Sequence, residues 1–143
     1  MSSREEYFIF MKSTDSLNYF PSNTNHHFTV ELPEAVYLDG NDVWYCALRH
    51  FTCELTSPMA LYVYCDLVQQ SFVLDRRLPI IQYIPKYTRE TRVTETYDSS
   101  MAFKVTRSTI TNITVYIKDE KFKHPSFTDE PSTCTLHLMK RGS

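Results

Sequence analysis

The sequence has very little glycine, no long hydrophobic run and no dominant charge, and each absence excludes a class of protein. Only Gly40 and Gly142 occur among the 143 residues, so a glycine-rich loop that cradles phosphate is excluded. The apolar run near the N-terminus has five residues, which is too short for a signal-peptide core or a membrane span. We therefore expect a protein made inside the cell, without insertion into a membrane.

The net charge bears on binding to nucleic acid, and the cysteine content bears on disulfide formation. Fifteen basic and seventeen acidic residues leave a net charge of −2, so no overall field attracts nucleic acid, and any such contact is expected to be absent or local. Without an export signal, the four cysteines are expected to remain free as small buried side chains. They are Cys46, Cys53, Cys65 and Cys134.

Candidate catalytic and metal-binding residues are few. His26 and His27 precede a predicted strand, where successive side chains point to opposite faces and do not converge on one metal. His50 and Cys53 have the right ligand types, but no second pair completes the four ligands of a structural zinc site. No triad or pair of carboxylates is visible. The sequence thus predicts no enzyme, no catalytic or metal-binding residue and no cofactor.

Alternation of apolar and polar residues with period two is the main structural pattern. Leu61, Val63, Cys65 and Leu67 share one face of a predicted strand, and the tyrosines between them lie on the other. No segment has the apolar stripe of an amphipathic helix. The predicted strands are 7–11, 28–32, 43–51, 61–67, 72–74, 79–84, 101–105, 110–118 and 133–139.

Eight to nine short strands with little helix predict an all-β fold. We expect one domain over residues 1–143, an antiparallel β-sandwich of the jelly-roll (Greek-key) type, with 1–6 as a flexible arm and 140–143 as a flexible tail. Scarce glycine disfavours two-residue hairpins and favours longer connections. Residues predicted on the inward faces are Trp44, Leu48, Val63, Cys65, Ile113, Val115, Leu136 and Leu138.

Several aromatic residues are candidates for a subunit interface. The strand 7–11 is apolar on both faces, so Phe8 and Phe10 need a cover, which is either a loop of the same domain or a neighbouring subunit. Tyr19 and Phe20 lie in a long loop that leads into the predicted strand 28–32. They either pack on their own domain or contact a neighbouring subunit. The other two candidates are Tyr87 and Tyr97.

The segment 76–92 combines basic residues and tyrosines, as nucleic-acid surfaces do. It also contains an evident strand, so a solvated loop rim is the favoured interpretation. The basic residues of this candidate rim are Arg76, Arg77, Lys86, Arg89 and Arg92.

Four blocks of sequence occur in a characteristic order. In the first, an aromatic-Pro-x-Asn-Thr pattern at 20–24, a Phe-x-Val-x-Leu-Pro strand at 28–33 and a Leu-x-Gly at 38–40 lead to the Trp-containing segment 44–48. The others are 62–68, 73–85, and 110–119 with 134–138. In this order the blocks resemble the minor capsid, or penton, proteins of Polintons, adintoviruses and related double-stranded DNA elements. Tyr45 and Cys46 stand where that family usually has Glu and Val, and the segment after the Trp strand is shorter here.

The resemblance implies a non-enzymatic structural protein of the virion. Such a jelly-roll subunit is expected to form a homo-oligomer, a pentamer at the capsid vertices, and to contact a major capsid protein. The alternative is a ligand-binding β-sandwich that attaches a virion or cell surface to a receptor or carbohydrate.

Overall fold

The computed structural model describes residues 6–38, 41–73, 75–86, 91–98 and 101–141, and the regular structure in these ranges is entirely β. None of the described segments forms a helix long and apolar enough to cross a membrane. The strands, in chain order, are β1 (Glu6–Lys12), β2 (His27–Tyr37), β3 (Val43–Glu54), β4 (Leu61–Cys65), β5 (Ser71–Val73), β6 (Arg76–Leu78), β7 (Ile80–Ile84), β8 (Arg92–Thr96), β9 (Phe103–Lys104), β10 (Thr109–Lys118) and β11 (Thr133–Arg141).

Two antiparallel sheets carry the fold. The first has the order β1-β11-β3-β8, with β9 also paired to β3, and the second has the order β2-β10-β4-β7. Strands from opposite ends of the chain are neighbours, as where β1 pairs with β11. The short β5-β6 hairpin forms a separate ribbon. The predicted all-β jelly-roll class is confirmed.

The hydrophobic core consists of the inward faces of the two sheets. Leu136 of β11 lies opposite Leu48 of β3, and both side chains are buried. In the second sheet, Ile117 lies opposite Val63 and is equally buried. All eight side chains predicted to face inward are buried, which confirms the period-two assignment.

The strand β2 is longer than the predicted 28–32, since it continues through Pro33 to Tyr37. Among the described strands β2 pairs only with β10, and the register shifts between Ile110 and Asn112 of that neighbour. Proline has no N–H for a ladder hydrogen bond, so it is tolerated at a sheet edge or a bulge. Here both conditions hold, which explains why the strand passes through Pro33.

Two described strands were not predicted, and several predicted boundaries shift. The strand β8 buries Val93 among polar residues, so its apolar alternation is weak. The strand β6 consists of Arg76, Arg77 and Leu78, which resemble a loop rim in the sequence. The strand predicted at 101–105 shortens to β9, and Leu74 of predicted strand 72–74 lies outside the described residues.

The expected terminal arm and tail also change. Glu6 lies in β1, and Lys140 and Arg141 lie in β11, so these three residues belong to the first sheet. Residues 1–5 and 142–143 lie outside the described residues.

Tyr64 departs from the predicted alternation. It was expected on the outer face beside Tyr62, but its side chain is fully buried. Its ring stacks on Tyr116 of the adjacent strand at 4.6 Å, while Phe122 stacks on Tyr62 at 6.0 Å and the guanidinium of Arg76 lies 4.3 Å from the Phe122 ring. The outer face of the second sheet is therefore partly covered, and burial raises the pKa of Tyr64 to about 12.

The long connection between β1 and β2 is held by side-chain hydrogen bonds. Ser13 Oγ donates to Asn25 Oδ1 at 2.8 Å and accepts from the backbone N–H of Ser132 at 3.0 Å. Asn23 donates to the Thr29 carbonyl and accepts from its N–H, at 2.8 and 3.0 Å. The Ser- and Asn-rich sequence thus supplies the backbone partners that an irregular segment otherwise lacks.

All four cysteines are free, buried thiols. Burial raises the pKa of Cys53 to about 12. For Cys46, a hydrogen bond with Cys65 and burial both raise the thiol pKa. These side chains behave as part of the hydrophobic core.

Candidate subunit interface

The edge strand β1 exposes two aromatic rings. It pairs with β11 alone among the strands that the structure describes, and its inward residues Ile9 and Met11 are buried. The outward residues Phe8 and Phe10 are 51% and 75% exposed. The described part of the domain therefore covers one face of this strand and leaves the other open to solvent.

Phe8 lies on an ordered polar cluster. Its ring stacks on His137 of β11, with centroids 4.2 Å apart and 10° between the planes. The Arg49 Nε–H donates to His137 Nδ1 at 3.2 Å, and His137 Nε2 lies 2.8 Å from Glu6 Oε2. Since the Arg49 group can only donate, Nδ1 is the acceptor, and Nε2 carries the proton given to Glu6. These two hydrogen bonds fix the plane on which Phe8 stacks.

Polar side chains link the strands elsewhere on this outer face. His50 Nδ1 lies 3.1 Å from Thr96 Oγ1, which links β3 to β8. Thr52 and Thr133 share a side-chain hydrogen bond between β3 and β11. Among the described strands of the first sheet, the exposed large hydrophobic side chains are Phe8 and Phe10 of β1.

A cavity of about 400 Å³ adjoins this edge, between β1 and β2. Phe8 and Phe10 line it together with apolar side chains of β2 and three carboxylates. A surface with an apolar centre and a charged border is typical of a protein interface. The β2 side chains are Val30, Leu32, Pro33 and Val36, and the carboxylates are Asp15, Glu31 and Glu34.

The other candidate interface residues are placed in different environments. Tyr19 is exposed, whereas Phe20 is half-buried and lines a cavity with His26 and His124. Tyr97 packs partly against the core, where burial raises its pKa to about 12. Tyr87 lies outside the described residues.

The described basic residues of the candidate rim have different immediate neighbours. Arg76 lies over Phe122, and the Arg77 guanidinium is 5.7 Å from the Phe72 ring centre. Arg92 is in the first sheet, 3.5 Å from the Glu54 carboxylate, and Lys86 is exposed beside a cavity that it shares with Asp119 and Glu120. Arg89 lies outside the described residues.

A histidine cluster lies at the start of β2. The rings of His26 and His124 are 4.7 Å apart, and His26 Nδ1 is buried without a hydrogen-bond partner among the described residues. Burial first, then the nearby His124 and His27, lowers the pKa of His26. No group of three potential metal ligands is assembled anywhere in the ranges that the structure describes.

Sequence reasoning identified Phe8 and Phe10 but missed the groups that support them. His137, Arg49 and Glu6 come from three strands far apart in the chain. The only sequence indication is a polar residue on the outward side of each strand, which is also what a solvated surface requires. The pairing of β1, β11 and β3 was needed to bring them together.

Comparisons with known proteins show similarity at the level of the fold. No family model matches the sequence, and no significant match is found among curated proteins. Among solved structures, the crystal structure of the selenomethionine-labelled mavirus penton protein is similar, with a TM-score of 0.67 and 4% sequence identity. The alignment covers 96% of this chain and 100% of that chain. The chain thus has a penton-like jelly-roll fold.

Proposed function

We propose that this protein is a non-enzymatic structural subunit of a viral capsid, a minor capsid (penton) protein of the Polinton or adintovirus type. It assembles with copies of itself, as a pentamer at the capsid vertices, and contacts a major capsid protein in the virion. Support comes from the ordered sequence blocks and from the similarity in fold to the mavirus penton protein over nearly the whole chain.

The observation that carries the proposal is the exposed pair Phe8 and Phe10 on an edge strand. Complete burial of a fully exposed phenylalanine side chain contributes about 1.5–3 kcal/mol, so the exposed parts of these two adjacent rings are costly to leave in water. The hydrogen-bonded His137 beneath Phe8 restricts that ring before any partner arrives. Restriction in the free subunit reduces the entropy lost on association.

The test is the double substitution Phe8→Ser with Phe10→Ser, followed by analytical ultracentrifugation and thermal unfolding. We expect a folded protein that is mostly monomeric, because both rings face outward and their loss removes little of the core. The matched control is Phe72→Ser with Met101→Ser, which removes two side chains that are 80% and 70% exposed elsewhere on the surface.

The outcomes separate the two roles of these rings. Loss of assembly in the β1 variant alone, with normal unfolding, supports the interface. Unfolding of the β1 variant would instead assign the rings to the stability of the domain. An unchanged oligomer with normal unfolding would contradict an interface at β1.

A further inference from the structure

The groove between β1 and β2 is acidic as well as apolar. Its volume is about 400 Å³, and the exposed rings of Phe8 and Phe10 line it from the β1 side. Asp15, Glu31 and Glu34 bring three carboxylates to the same lining. No lysine or arginine of the described ranges lines this groove. It therefore combines exposed aromatic surface with charge of one sign.

The three carboxylates keep their charge in the single subunit. Asp15 accepts a hydrogen bond from the backbone N–H of Lys12 at 2.9 Å, which does not neutralise it. Glu31 is half-buried, and Glu34 is exposed. None of the three forms an ion pair with a side chain that the structure describes. A surface that covers the two aromatic rings must therefore approach uncompensated negative charge.

This charge limits which surface of a second copy the groove can meet. In a two-fold dimer, the same patch of both subunits forms the contact. The acidic lining of one groove would then face the identical lining of the other, and like charges across an interface oppose association. A closed ring of more than two subunits instead joins two different patches. The patch that meets the acidic groove must then carry positive charge.

We infer that the groove receives a lysine or arginine side chain from the next copy of this chain. This contact presupposes the self-assembly proposed above and gives the β1 edge a basic surface as its partner. A second copy is the occupant because Phe8 and Phe10 belong both to the groove and to the proposed contact between subunits.

A long basic side chain matches both parts of the lining. Its apolar stem packs against Phe8 and Phe10, and its charged end lies at the carboxylates of Glu31 and Glu34. A cation held near an aromatic ring gains a further attraction from the ring face. The groove thus binds a side chain that is apolar along its length and positive at its end.

The test neutralises the groove while keeping both rings. The groove variant is Glu31→Gln with Glu34→Gln. The matched control is Asp129→Asn with Glu130→Gln, which removes two charges at exposed positions between β10 and β11. Analytical ultracentrifugation over a range of concentrations, in about 50 mM and about 500 mM sodium chloride, measures the association.

The groove variant should associate roughly two- to tenfold more weakly than the wild type at low salt, since two partly exposed ion pairs are lost. Association of the wild type should weaken as the salt concentration rises. The groove variant should respond less to salt, because fewer charges between the subunits are screened. The control should match the wild type in both respects.

A contact between two acidic grooves would give the opposite result, because neutralisation would then remove repulsion. Association of the groove variant equal to or stronger than that of the control would overturn the basic partner and leave self-assembly standing. A wild type that is monomeric at every concentration would overturn both. If thermal unfolding shows that the groove variant does not fold, Glu34→Gln alone is compared with Glu130→Gln, and equal association of these two would contradict the inference.

Discussion

The ring of Phe8 lies parallel to the imidazole of His137, with their centroids 4.2 Å apart. His137 is held by Arg49 on one side and by Glu6 on the other, so an exposed aromatic ring rests on a fixed platform. Most solvent-exposed side chains are free to change rotamer. The stacked Phe8 ring is consistent with a surface prepared for association.

We predict that His137→Ala weakens self-association without abolishing it. The substitution removes the platform of Phe8 and leaves both phenylalanines, so its effect should be smaller than that of the double serine variant. Loss of the stacked pair should also lower the free energy of unfolding by about 0.5–1.5 kcal/mol. Sedimentation over a range of concentrations measures the association. The control is His50→Ala on the same face, and equal association in the two variants would refute a role for the stack.

A second prediction concerns the carboxylate of Asp66. It accepts from the Thr114 N–H at 3.0 Å and is ion-paired with Arg107, so it joins the end of β4 to β10. Asp66→Asn should lower the free energy of unfolding by about 1–3 kcal/mol, since a part-buried network loses its charged acceptor. Urea unfolding measures this loss.

The control for Asp66 is the exposed ion pair between Arg92 and Glu54. Arg92→Gln should lower the free energy of unfolding by less than about 1 kcal/mol, because exposed ion pairs contribute little. A loss as large as that of Asp66→Asn would contradict the conclusion that the exposed Arg92 ion pair contributes less than the part-buried Asp66 network.

Period-two alternation was sufficient to predict most of the sandwich. Val63 and Ile113 follow a strict pattern, and the structure buries both. Alternation placed Tyr64 on the outer face, where an exposed side chain is expected. Phe122 and Arg76, which come from distant segments, cover this part of the sheet. In β8, Val93 is buried among polar neighbours, so the local apolar signal was too weak. The Tyr64 failure thus came from contacts between segments distant in the chain, and the β8 failure came from a weak local pattern.

The candidate interface was predictable only in part. Apolar residues on both sides of 7–11 indicated that Phe8 and Phe10 needed an additional cover, and the structure leaves both rings exposed while Ile9 faces the core. The sequence did not indicate that His137 would lie beneath Phe8, because that relation depends on the register between β1 and β11.

Stability should fall in mildly acidic solution because of His26. Burial and the neighbouring His124 and His27 lower its pKa in the folded protein below the ordinary value of 6.5. Above that value His26 is neutral in both states, so its contribution is constant. As the pH falls from 6.5 through the lowered pKa, the unfolded chain binds the proton first, and the free energy of unfolding decreases.

Urea unfolding between about pH 8 and pH 5 measures this dependence. His26→Gln should flatten the acidic part of the curve, since the glutamine side chain does not titrate in that range. A slope identical to that of the wild type would show that His26 is not responsible.

The four thiols should be unreactive in the folded protein and fully reactive after denaturation. All are buried, and burial raises the pKa of Cys53 to about 12, so little reactive thiolate is available. Mass spectrometry after alkylation without a reducing agent should detect four labels on denatured protein. Two or fewer labels would indicate a disulfide, and rapid labelling of the native protein would contradict the burial.

The most direct test of a capsid role is the mass of the purified wild-type protein in solution. Multi-angle light scattering should detect an assembly of about five times the 16.9 kDa of one chain, as expected for a closed five-fold ring. The ring should be the main species at concentrations where the double serine variant of Phe8 and Phe10 is monomeric. A wild-type mass of 16.9 kDa at every concentration would contradict self-assembly through this surface.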